Sequence, residues 1–245
     1  MMKEIHEKLI SVLPDVKVKK VFIGAFDVAV MSVRCGLASA LREPCGSGRC
    51  GGIPMAGKLE GMPVRKLAEC VYSDNILEAS VGMAAINSAV VFPAESDFSE
   101  INAVDVLKER AEGRTLAVIG NFPFAASLKK IAGKLMVFDR NPAEGVFPPE
   151  KEAELLGEAD VAAISATTLI NHSFAEVMSY LKPGAYKLLL GPSTPLTSIL
   201  FEFGLDAVSG TFVSDTDVLM SYLGQGASYR QLKGKKMLTL FKGEK

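Results

Sequence analysis

Two hydroxyl-rich stretches are the first candidates for chemistry. Ser165-Ala166-Thr167-Thr168-Leu169-Ile170-Asn171-His172 and Gly191-Pro192-Ser193-Thr194-Pro195 each follow a short apolar run. Where a strand end opens a helix, unpaired N–H groups and partial positive charge favour an anion or carboxylate. Ser and Thr hydroxyls add groups that can donate or accept by rotating. Ordinary N-capping explains one hydroxyl in such a turn and three poorly. Gly191 permits close approach, and Pro192 and Pro195 stiffen the loop. Two such helix starts after consecutive strands predict one pocket lined by Thr168, Asn171, Ser193 and Thr194.

A third stretch, Gly120-Asn121-Phe122-Pro123-Phe124, ends another apolar run. In a dinucleotide-binding fold this turn carries several glycines, so that the backbone can approach a pyrophosphate. Here a single glycine stands beside two phenylalanines, which disfavours tight NAD or FAD binding. Asp139 lies nineteen residues after Gly120, where an acidic residue often binds a ribose hydroxyl. Without the glycines it reads first as a strand-end Asp capping the turn before Pro142; the ligand role stays open, and Gly120, Asn121 and Asp139 join the candidate ligand residues.

Thiols are the remaining donors. Cys45 and Cys50 bracket Gly46-Ser47-Gly48-Arg49, a spacing at the edge of the zinc range, with Cys35 upstream. They could hold a heavy or transition metal ion as thiolates, or stand as free loop thiols. The chain has two histidines, His6 and His172, and no second Cys or His pair completes a site. No nucleophile elbow, phosphate-binding P-loop or HExxH helix is present.

The elements that must position these residues fall into two patterns. Ile5, Leu9, Val12 and Leu13 mark one face of an opening helix stopped by Pro14. Lys17 to Ile23, Val28 to Val33 and Leu37 to Leu41 read as an antiparallel meander, with turns at residues 24–27 and at Cys35-Gly36. Residues 43–61 carry six glycines and form a long loop, able to reach over a neighbouring cleft as a lid. Helices are expected from Pro63 through Val71 and from Asn75 to about Val91, the second apolar nearly all round and therefore buried. Asn87 is a polar residue on that helix.

Pro93 to Ser99 reads as a linker, and Asp97 or Ser99 as the cap of a polar helix over residues 100–112. Beyond it, short apolar strands at Thr115–Ile119, Leu135–Phe138, Val161–Ile164, Lys187–Leu190 and Ala207–Ser209 alternate with helix-length segments. That is the mark of a parallel sheet covered on both faces, with its loops gathered at the strand C-termini. A helix is expected over Leu196 to Phe203. The reading is an α/β chain: a small α+β region at 1–95, then a Rossmann-like parallel-sheet region at 96–245.

Composition narrows the partners. The 245 residues are 49% hydrophobic, with 27 basic and 28 acidic residues and no Trp. The lack of a basic stripe argues against nucleic acid. The most apolar stretch, 79–94, is too short to span a bilayer, so no membrane is expected. Leaderless and with thiols best read as reduced, the chain is expected in the cytoplasm. A homodimer is the default oligomer.

The segments VGMAAINSAV, ISATTLINHS, LLLGPSTPL and FGLDAVSGTFVSD resemble the putative heavy-metal chelation family over essentially the whole chain. The resemblance implies an enolase N-terminal-like domain followed by a Rossmann-like domain, with a small-molecule ligand in the cleft between them. It carries Thr167, Thr168, Asn171, Gly191, Pro192, Ser193 and Thr194 over as site residues and brings Asn87 to the cleft from the other side. It implies chelation of a heavy metal; a Rossmann-type enzyme acting on a heterocyclic or nucleotide-linked metabolite is the alternative.

Overall fold

A computed structural model describes residues 1–42, 52–92, 94, 98–120, 122–141 and 143–243. The chain is mixed α/β, with a three-stranded antiparallel sheet and an eight-stranded, mostly parallel one. Helix α1, Met2–Ser11, buries Ile5, His6 and Leu9. Leu13 is buried, whereas Val12 turns outward, because the helix has ended by Ser11 and its face no longer continues. Strands β1 (Lys20–Ile23), β2 (Asp27–Met31) and β3 (Cys35–Ser39) form the expected meander. The third strand starts at Cys35, where a turn was expected; Met31 pairs with Cys35 and the turn is confined to residues 32–34.

Helix α2 (Val64–Ala68) runs into a 3-10 turn, Glu69–Tyr72, and α3 spans Ile76–Ala89. Asn75 caps α3, its Oδ1 accepting from the N–H groups of Leu77 and Glu78, where Ser73 or Asp74 was expected. The uniformly apolar α3 is buried on nearly every side. Two glycines let backbones meet there. A Cβ on Gly36 of β3 would lie 2.2 Å from Ser88 N, and one on Gly82 would lie 2.2 Å from Val71 N.

The large sheet begins with a two-residue edge strand, β4 (Phe98–Ser99), inside the expected linker. Helix α4, Ala103–Ala111, follows, capped by Asn102 rather than by Ser99, which is in the strand; Asp97 lies outside the described residues. Then come β5 (Thr115–Ile119), α5 (Ala125–Leu128), β6 (Lys134–Phe138), β7 (Val146–Phe147), α6 (Glu152–Leu155) and β8 (Val161–Ser165). After them come α7 (Thr167–Ile170), α8 (Phe174–Tyr180), β9 (Tyr186–Leu190), β10 (Ala207–Val213), α9 (Thr216–Gly224) and β11 (Lys235–Phe241).

The strand order is β4-β11-β10-β9-β8-β5-β6-β7, parallel from β10 to β7 and antiparallel at β11 and β4. The chain leaves β5 toward β6 on one side and later returns to its other side as β8, so the order reverses at β5 and β8.

Strand alternation sorts the core. Leu116 and Val118 of β5 face Val106 and Leu107 of α4 and Leu128 of α5. Ala117 and Ile119 face the opposite way, into a core shared with Leu9 of α1, Ile86 of α3 and Phe174 of α8. The small sheet is covered twice. Val28, Val30 and Ala38 join the core that contains α3, while Ala29, Cys35 and Leu37 pack on Leu219 and Leu223 of α9 and on Leu232. The expected helix over 196–203 is a 3-10 turn at Ser198–Phe203, so residues 191–197 are loop.

Candidate functional site

At the reversal point the C-terminal ends of three parallel strands open into a cleft of about 570 Å³. Ile119 and Gly120 contribute from β5, Phe138, Asp139 and Arg140 from β6, and Ser165, Thr167 and Thr168 from β8. Leu41, Arg42 and Ile76 supply the wall from the small-sheet region. In open parallel sheets, ligands bind outside the carboxyl ends of strands where the order reverses. The size falls in the range of small-molecule sites.

The floor is fixed by local bonds. Gly120 has φ +108°, and a Cβ there would sit 3.1 Å from Ser165 Cβ and 3.3 Å from the Phe122 ring. Its N–H donates to Phe138 O at 2.7 Å, tying the ends of β5 and β6 together. Ser165 Oγ and Thr167 Oγ1 share a hydrogen bond of 2.8 Å, and Thr168 Oγ1 donates to Ser165 O at 2.6 Å. Asn171 Oδ1 accepts from Ser173 N and Oγ at 3.1 and 2.7 Å. Asp139 Oδ1 accepts from the backbone and side chain of Asn141 at 2.7 and 2.9 Å.

Carboxylates outnumber guanidinium groups in the lining, with Asp139, Glu150, Glu152 and Glu176 against Arg42 and Arg140. Glu152 is buried, and its carboxyl is pushed up to about 7, chiefly by burial and then by neighbouring Glu176, against the pull of Arg140. None of these acids and neither arginine was singled out in the sequence, except Asp139. Arg140 follows Asp139 at the strand end and could have been read with it. Glu152 and Glu176 come from short helices whose placement the strand pattern does not reveal.

From behind, two imidazoles hold the loop after β8. His6 Nε2 donates to Leu169 O at 3.1 Å, and His172 Nε2 donates to Val71 O at 2.8 Å. The rings lie 5.8 Å apart. His172 is the one non-glycine among the described residues with positive φ, at +64°.

The cleft thus gathers Gly120, Asp139, Thr167, Thr168 and Asn171, but not the loop after β9. Ser193 and Thr194 are buried, and Ser193 Oγ accepts the Ser39 N–H at 2.9 Å. Thr194 and Asn87 line a separate small cavity with Arg34 and Thr211. The single pocket expected from both loops is therefore two. Residues 191–197 open no helix, and β3 packs across them instead of leaving them to solvent. Gly191 has φ +115° with open space around its Cβ position, which serves the turn closed by Thr194 N on Gly191 O; Pro192 is half-buried beside it. Asn121, Cys45 and Cys50 lie outside the described residues, as do residues 43–51 of the glycine-rich stretch; of its remainder, Ile53 and Leu59 are buried in the core.

For a metal, the described residues fit poorly. No three of His, Cys, Asp and Glu among them stand close enough to hold an ion. Burial pushes the Cys35 thiol up to about 12 and, with Glu78 beside it, the Cys70 thiol up to about 11, which disfavours the thiolate a soft metal needs. No helix among the described residues is long and apolar enough to cross a membrane.

Comparison with known proteins follows the same outline. Two family models, both described as putative heavy-metal chelation, match residues 6–90 and 102–242. An uncharacterized protein of Methanocaldococcus jannaschii is 30% identical over 168 residues, 66% of this chain and 65% of that protein. The matched part thus spans about two-thirds of that relative's length. A crystal structure of a protein of unknown function from Desulfitobacterium hafniense superposes with a TM-score of 0.84 at 26% identity, covering 98% of each chain. One from Pyrococcus horikoshii, also of unknown function, gives 0.82 at 19% identity over 98% of this chain and 99% of that one, a likeness of fold.

Proposed function

The chain belongs to the putative heavy-metal chelation family, and from that premise we propose that it binds a small polar ligand in the cleft at the ends of β5, β6 and β8. The observation that carries this reading is the meeting, in one cavity at the strand-order reversal, of Gly120, Asp139 and the Ser165–Thr167 hydroxyl pair with Arg42 from the other sheet's region. Four carboxylates against two guanidinium groups favour a ligand rich in hydroxyls or cationic nitrogen over a simple anion. Such a ligand could itself chelate a metal. That agrees with the family's description and with the poor metal donors among the described residues. Asp139, beside Gly120, suits a hydroxyl-bearing ligand, while the phenylalanines after Gly120 leave little room for a pyrophosphate.

Glu152 favours a second reading, that of an enzyme. A cleft carboxyl that titrates near neutrality can give and take a proton at working pH. Native mass spectrometry of freshly purified protein tests the first reading. A small molecule should co-purify with the wild type and be lost from Asp139→Asn and Thr167→Val proteins that remain folded. Equal retention by both variants would remove the cleft as its site. Turnover of the co-purifying compound, abolished in Glu152→Gln, would establish the second.

A further inference from the structure

Behind the cleft, at the seam where β3 and α3 meet the end of the large sheet, lies the small cavity lined by Arg34, Asn87, Thr194 and Thr211. Two of its polar atoms, Asn87 Oδ1 and Thr194 Oγ1, are buried without a hydrogen-bond partner. Thr194 is 2% exposed. Leaving two such groups unpaired costs a fold heavily, and native structures rarely do so. The orientation of the amide is fixed. Asn87 Nδ2 donates to Leu37 O at 2.7 Å, so the amide cannot flip and Oδ1 must face the cavity as an acceptor.

We infer that this cavity is a binding site for one water molecule, which bridges Asn87 Oδ1 and Thr194 Oγ1 across the seam between the two sheets. Size and chemistry both select water. The volume is about 10 Å³, close to the roughly 10–15 Å³ that a single water requires, and too small for an organic group. A cation is disfavoured by the Arg34 guanidinium in the wall, held by its hydrogen bond to Val90 O and lying 4.8 Å from the Phe92 ring centre. An anion is disfavoured by the locked Asn87 Oδ1. A water can donate to Asn87 Oδ1 and accept from the Thr194 hydroxyl. Arg34 stands on the same wall as a further donor, which keeps the site within the two to four polar partners that buried waters use.

This site lies beyond the ligand cleft and gives Asn87 and Thr194 a role that does not involve the ligand. Each belongs to a different sheet's surroundings, so the water completes the polar contact between them. A crystal structure of the full chain, at a resolution that shows ordered waters, is the direct test. Density within about 3.2 Å of both Asn87 Oδ1 and Thr194 Oγ1 is expected, and its absence would overturn the inference. Thr194→Val keeps the shape and removes the hydroxyl. It should lower the melting temperature by about 2–4 °C, while Thr194→Ser should keep both the water and most of the stability. A Thr194→Val protein as stable as the wild type would also sink the assignment. Should that variant fail to fold, the wild-type density decides alone.

Discussion

The loops after β8 and β9 begin side by side, with Ala166 N donating to Leu190 O at 2.8 Å. Both are short, hydroxyl-rich and punctuated by residues that favour turns. One lines an open cleft; the other is buried under the small sheet. Residue type does not separate them. What differs is the cover: β3 delivers the Ser39 N–H onto Ser193, whereas among the described residues Leu41, Arg42 and Ile76 form the far wall of the cleft. A hydroxyl at a strand end is thus cleft-facing or seam-facing according to which part of the chain crosses it. Sequence spacing along the sheet carries no record of that.

The largest expected effect separates the two loops by pH. Burial, with His172 nearby, lowers the His6 pKa from 6.5 to about 4. Folding therefore favours the neutral ring. Its contribution is complete above pH 6.5 and is lost as the pH falls toward 4, about 3 kcal/mol over that window. Because His6 holds Leu169 O, hydrogen exchange in residues 166–173 should accelerate at pH 4.5 before that in 191–197. Simultaneous loosening of both loops would erase the distinction drawn here.

Next in size is Ser193→Ala, which strands the half-buried Ser39 N–H. Urea unfolding should show a loss of about 1–3 kcal/mol with ligand affinity little changed. In the cleft loop the pattern inverts. Thr167→Val should leave stability within about 0.5 kcal/mol and weaken ligand binding by about 1 kcal/mol, read by calorimetry with the co-purified compound.

The last effect concerns Glu152 and is read as a slope against pH. Its carboxyl is raised in the fold, so the stability it contributes is full below pH 4.5 and is lost as the pH rises through 7. Glu152→Gln should flatten the decline in melting temperature between about pH 4.5 and 7. For metal, Cys45→Ser combined with Cys50→Ser should leave the fold and small-ligand affinity intact; a large fall in bound metal, measured by plasma mass spectrometry, would restore the two thiols as a site.

Much of the framework was legible because buried parallel strands announce themselves as short apolar runs, and β5 was read to the residue. Strands β4 and β7 are two residues long and leave no periodic trace. Strand β11, KKMLTLF, opens with two lysines and pairs antiparallel at the sheet's end, outside the apolar βα alternation that reveals the other strands. Within the cleft, Gly120, Asp139, Thr167, Thr168 and Asn171 were readable from their strand-end positions. Arg42, Glu152 and Glu176 were not, since they arrive from elements whose approach depends on packing. Thr194 was read as a ligand-facing hydroxyl and Asn87 as a polar group reaching the cleft; both line the separate cavity at the seam, where β3 and α3 cover the loop after β9.

The double cover of the small sheet bears on how the chain is made. Ala29, Cys35 and Leu37 turn one face of that sheet toward Leu219, Leu223 and Leu232. On the ribosome the meander emerges early and that face stays bare until the distant leucines are synthesised, roughly 10–40 s later. During that interval the meander offers an apolar face and the open strand edge of β1, the surface that chaperones recognise and neighbouring nascent chains can join.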